Sequence, residues 1–132
     1  MTSTDPPASR KTLAGLRILV VEDEPLVAML AEEILRDAQA QHVAIANNER
    51  AARAILDVGA IDAAVVDVNL WGAPSFTIGA RLRGQKIPFV FATGYGDQVR
   101  LPDNLVNVPV VTKPFPPGEL VAALLKAMAA AG

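Results

Sequence analysis

A chain of 132 residues that is 52% hydrophobic and 20% charged suits one domain with its own core, and a core of that size needs no covalent staples. The absence of cysteine excludes disulfides and thiolate metal sites, and a net charge of −2 with no basic stripe argues against nucleic acid as a direct partner. No apolar run reaches the roughly 18 residues of a membrane span. The polar start, with Pro6 and Pro7, lacks the apolar segment of a signal peptide, so a cytoplasmic location is expected.

Residues 1–15 read as a loose tail and residues 16–132 as the folded unit. Residues 17–21 (RILVV) are a short β-branched run, the pattern of a buried strand. Residues 25–38 follow as a helix: Leu26, Met29, Leu30, Ile34 and Leu35 recur at helical spacing, and Pro25 suits the first turn. Residues 42–46 predict a second, weaker strand. Asn47 or Asn48 can cap the next helix, which runs to about Val58 and stops at Gly59. Residues 61–68 (IDAAVVDV) predict a third strand. Gly72, Ala73 and Pro74 form a loop, and Ser75 is placed to cap a helix through Arg83. Residues 87–92 (IPFVFA) are the fourth strand. Residues 94–104 carry two Gly, a Pro and several polar groups, so any helix there is short or irregular. Residues 106–112 are the fifth strand. Pro116 or Pro117 opens a last helix over 119–130, with Leu120, Leu124, Leu125 and Met128 on one side.

This alternation predicts an α/β fold: a doubly wound, five-stranded parallel sheet, (βα)5 and flavodoxin-like, in the order 2-1-3-4-5. Ligands of such sheets bind beyond the carboxyl ends of the strands, near the point where strand order reverses. Glu22 and Asp23 follow the first strand, Asp67 ends the third, Thr93 follows the fourth and Lys113 the fifth. Singly, each has an ordinary role as a turn residue or a helix start. Together, four strand ends bring them to one rim, with Asp23 and Asp67 side by side across the switch point. Crowded carboxylates need a cation or a raised pKa. An all-oxygen set selects a hard divalent ion, Mg²⁺. A carboxylate can also attack phosphorus to form an aspartyl phosphate, with Lys113 supplying positive charge and Thr93 a hydroxyl donor.

Four motifs, VVEDE (20–24), VVDVNL (65–70), FATGYG (91–96) and TKPF (112–115), stand in one order and spacing. Through them the chain resembles a response-regulator receiver domain of two-component signalling over about residues 16–130. The resemblance implies that Asp67 is the phospho-acceptor. It implies that Asp23 and Asp67 bind Mg²⁺ by side chain, Glu22 acts mainly through a metal-bound water, and Asn69 offers its backbone carbonyl. Lys113 would pair with the phosphoryl group, Thr93 would rotate towards it, and the Lys113–Pro114 bond would be cis. The donor would be a phosphohistidine on a histidine kinase or phosphotransfer protein. The protein would turn over no separate substrate and would signal through a downstream protein target. Alternatively it would serve as a phosphate sink or relay intermediate. PFVFATGYG (88–96) also resembles single-domain receivers that carry a Phe-Ala-Thr-Gly motif with a nearby Tyr. In those the Tyr usually stands three residues after the Thr; here Tyr95 stands two after Thr93. Val110 occupies the position of the usual aromatic switch, so Tyr95 is expected to take over the signalling motion. Asn69 and Tyr95, each two residues past a site residue, are expected to tune the phosphate lifetime. Trp71 is expected to cover the loop and His42 to be an exposed strand-end residue. A small Asp-nucleophile phosphatase would want a second Asp where Asn69 stands. A flavodoxin-type carrier would want a phosphate loop where Glu22-Asp23-Glu24 would repel it.

Overall fold

A computed structural model describes residues 12–94 and 99–131. Its elements run β1 (Arg17–Val21), α1 (Pro25–Asp37), β2 (His42–Ala46), α2 (Glu49–Val58), β3 (Ala63–Asp67), the two-residue strands β4 (Asn69–Leu70) and β5 (Ala73–Pro74), α3 (Phe76–Gly84), β6 (Phe89–Thr93), β7 (Val110–Thr112) and α4 (Pro117–Ala131). A 3-10 turn, Asp103–Leu105, precedes β7. The main sheet is all parallel in the order β2-β1-β3-β6-β7. This is the expected 2-1-3-4-5 arrangement once the small antiparallel β4–β5 hairpin is set aside.

Strand alternation divides the core into two layers. Ile18, Val20, Ala63, Val65, Val90, Ala92 and Val111 face α1 and α4, where they meet Ala31, Ile34, Leu35, Leu120 and Leu124. Leu19, Val21, Ala64, Val66, Phe89 and Phe91 face the other side, where Ala52, Leu56, Ile78 and Leu82 cover them. Strands buried on both faces read as unbroken apolar runs, which is why RILVV and AAVVD show no polar alternation. Among the described residues between β6 and β7 the helical element is the short 3-10 turn, whose Leu105 joins Val108 in the second layer; residues 95–98 of the expected irregular stretch lie outside the described residues.

Three expectations are corrected. Leu26 and Met29 are exposed, because α1 buries the small Ala28 and Ala31 beside Ile34 and Leu35, bringing the helix close to the sheet. Ser75 stands at the start of α3, but its hydroxyl donates to the Asp67 carbonyl rather than capping the helix. The folded unit also begins earlier than residue 16. Leu13 is 0% exposed, its amide donates to the Ala38 carbonyl, and Ala14 pairs with Ala40. Asn48 does cap α2, its side chain accepting from the Ala51 amide at 2.7 Å. Among the described residues no helix is long and apolar enough to cross a membrane.

Candidate functional site

Sheet register places the polar residues. Val21 lies opposite Val66, Asp67 opposite Ala92, and Thr93 opposite Thr112. Glu22, Asp67, Thr93 and Lys113 therefore emerge at one level of the carboxyl edge. Backbone bonds continue the ladder past the strand ends: Glu22 N–H to the Ala46 carbonyl, Val68 N–H to Ala92, and Lys113 N–H to Thr93 at 2.7 Å. Among the described residues this edge buries Glu22, Asp67, Thr93 and Lys113, together with Ser75, whose hydroxyl is taken up by the Asp67 carbonyl.

Lys113 bridges the acids. Its Nζ lies 3.2 Å from a Glu22 oxygen, 3.3 Å from Asp67 Oδ2 and 3.7 Å from Glu24. The Asn69 amide holds Asp67 Oδ1 at 3.1 Å, and the Glu24 amide holds Glu22 Oε2 at 3.1 Å. Glu22, Asp23 and Asp67 each offer an oxygen, and these oxygens lie within 4.8 Å of one another.

One ammonium cannot balance three carboxylates. Burial pushes the Glu22 carboxyl from 4.5 up to about 7, aided by the Asp67 charge and opposed by the Glu24 amide and Lys113. Burial also raises Asp67, against the pull of the Asn69 amide and Lys113. Burial would lower Lys113, but the charges of Asp67 and then Glu22 outweigh it and hold the amine above its ordinary value. Asp23 is the exception. Burial pushes it upward, yet the Trp71 amide and neighbouring donors win, so its carboxyl sits below the ordinary value.

This donor set fits a hard divalent cation: only oxygens converge, and excess negative charge is what such an ion relieves. Thr93 adds a second sign of an anionic or oxygen-rich guest, since its buried hydroxyl has no hydrogen-bond partner among the described residues. Thr93 and Asn69, with Phe76 and Arg100, line a cavity of about 240 Å³. A larger cavity of about 300 Å³, lined by Arg83, Lys86, Phe89 and Val108, lies at the opposite ends of the strands, and no Asp or Glu is among its described lining residues.

All five rim residues named from sequence thus converge, and Lys113–Pro114 is cis. Val110 is partly exposed on β7 and His42 is exposed on β2. Tyr95 lies outside the described residues. Sequence reasoning missed the contacts of Trp71, whose amide donates to Asp23 Oδ2 at 3.1 Å and whose indole N–H donates to the Asn47 carbonyl at 2.9 Å. The run Gly72, Ala73 and Pro74 signalled a loop there but not these contacts.

The fold and rim define a doubly wound α/β protein with a lysine-paired acidic site at the switch point. The chain belongs to the response regulator receiver domain family, whose sequence profile matches residues 18–125. That family serves two-component systems. The transcriptional regulatory protein TcrA of Mycobacterium tuberculosis (strain ATCC 25618 / H37Rv) is 38% identical over 118 residues, covering 85% of this chain and 46% of TcrA. The chain therefore spans about half the length of that curated relative. The solution structure of SdrG from Sphingomonas melonis Fr1 matches with a TM-score of 0.72 and 38% identity, over 88% of this chain and 99% of that one. The BeF3-activated conformation of SdrG from Pseudomonas melonis Fr1 matches with a TM-score of 0.71 and 36% identity, over 91% and 99% of the two chains.

Proposed function

We propose that this chain is a single-domain response regulator whose Asp67 accepts a phosphoryl group in a Mg²⁺-dependent reaction and which signals by protein contact. The carrying observation is the buried Asp67 carboxylate, with the Lys113 ammonium 3.3 Å away and, at the adjoining strand end, a Thr93 hydroxyl that has no partner among the described residues. The donor is a phosphohistidine on a histidine kinase or phosphotransfer protein. An Asp67 oxygen attacks phosphorus, the P–N bond breaks, and the bond's electrons leave with the imidazole, which takes a proton. The Asn69 amide and Lys113 hold the two carboxylate oxygens in fixed directions, so orientation is prepaid. Lys113 offsets charge on the phosphoryl oxygens and Thr93 donates to one of them. Glu22, Asp23 and Asp67, with the Asn69 carbonyl, would hold Mg²⁺, which when bound neutralises both the carboxylates and the transferring group. Water later cleaves the acyl phosphate and regenerates Asp67, with Asn69 and Tyr95 tuning that rate. Phosphorylation then biases a two-state surface around the segment after β6, β7 and α4. The match to a receiver in its BeF3-activated conformation supports this reading.

Incubation with Mg²⁺ and acetyl phosphate, followed by intact mass, tests it. Wild type gains one phosphoryl group and Asp67→Ala gains none. An unmodified wild type, or an equally modified Asp67→Ala, overturns the assignment.

A further inference from the structure

Trp71 is an anomaly. It sits at the tip of the β4–β5 hairpin with φ +54°, followed by Gly72 at φ +81°. A bulky side chain is disfavoured at such a φ, where Gly or Asn is the usual occupant. Packing does not repay it, since Trp71 is 70% exposed. What remains are its two hydrogen bonds: the amide on Asp23 Oδ2 and the indole N–H on the Asn47 carbonyl. The first reaches a rim carboxylate. The second ties the hairpin tip to the end of β2, where Ala46 also accepts from the Glu22 amide.

We propose that Trp71 is a positioning residue: its indole latches the hairpin to Asn47 so that its own amide fixes the Asp23 carboxylate for a divalent cation. The inference rests on the reading of Asp23 as a Mg²⁺ ligand. An outer partner that orients a ligand typically changes metal affinity by 10- to 100-fold when lost. The latch acts one step further out, so a loss of roughly 3- to 10-fold is expected.

Two variants separate latch from fold. Trp71→Gly removes the indole and relieves the backbone at positive φ. Trp71→Phe keeps an aromatic ring and removes only the N–H donor. Mg²⁺ affinity is measured by titration calorimetry on the full chain, beside Asp23→Asn, and thermal midpoints are taken in chelator. Both Trp71 variants bind Mg²⁺ roughly 3- to 10-fold more weakly, while the Trp71→Gly midpoint stays level or rises. Wild-type affinity in both variants overturns the proposal, and so does weakening in Trp71→Gly alone, because the N–H would then not be the latch. If Trp71→Gly fails to fold, Trp71→Phe decides. If wild type binds no Mg²⁺, or Asp23→Asn binds as wild type does, the metal-site reading fails first and takes this inference with it.

Discussion

Replacing Glu22 with Gln makes the electrostatic strain of the rim measurable. The folded protein holds the Glu22 proton up to about pH 7, whereas the ordinary carboxyl releases it near 4.5. Below pH ~4.5 both states carry the proton and the group is neutral in effect. Between pH ~4.5 and about 7 the unfolded chain releases its proton while the fold keeps it, so the metal-free fold loses about 1.4 kcal/mol per pH unit; above about 7 both states are ionised and the loss levels near 3 kcal/mol. Gln cannot ionise and escapes this loss. It does weaken one partner of Lys113, but that amine keeps Asp67 at 3.3 Å. The expected net gain at pH 8 in chelator is about 2 kcal/mol, or roughly 6–10 °C in midpoint for a domain of this size. At pH 5 the gain should shrink to near zero, and saturating Mg²⁺ should reverse it, because the ion favours the ionised wild type. Thermal or urea denaturation from pH 5 to 8.5, with and without Mg²⁺, provides the assay. A Gln variant less stable than wild type at pH 8, or a difference that ignores pH, refutes the reasoning.

Three further outcomes are expected. A Cβ added at Gly79 would meet Phe91 Cζ at 2.9 Å and Leu105 Cδ1 at 3.1 Å. Gly79→Ala should therefore lose about 1–2 kcal/mol in urea denaturation, despite the better helix propensity of Ala. Asn48→Ala removes the α2 cap and should cost about 1 kcal/mol by the same measurement. Trp71 is the only tryptophan and its amide touches Asp23, so Mg²⁺ titration should shift its emission saturably, and Asp23→Asn should abolish the response.

The fold was readable because the central strands β1, β3 and β6, buried on both faces, left apolar runs, and each run ended on a turn or a polar group. The rim was readable for the same reason: Glu22, Asp67, Thr93 and Lys113 needed only a strand end and a strand order to converge. Leu13 was not readable, since a single leucine among polar residues has no period to betray it. Its burial depends on the Ala38 and Ala40 backbone, a contact made only after α1 has turned back. The Ser75 hydroxyl reads as a cap, but the carbonyl of Asp67, held eight residues away, competes for it. Trp71 was hidden more deeply, because preference alone would put a small residue at its φ. The fifth strand is shorter than the apolar run that signalled it: after the 3-10 turn Val106 and Asn107 are exposed and Val108 turns into the core, leaving Val110–Thr112 to pair with β6.

Leu13 has a practical consequence. The segment before β1 is pinned beside the junction of α1 and β2, at the amino end of the sheet and so at the pole away from the carboxylates. A tag or fused domain joined ahead of residue 12 would leave from that pole and keep clear of any protein docking at the acidic end. Trimming the chain back to Leu16, by contrast, would strip a wholly enclosed leucine from beneath α1 and weaken the domain without touching its chemistry.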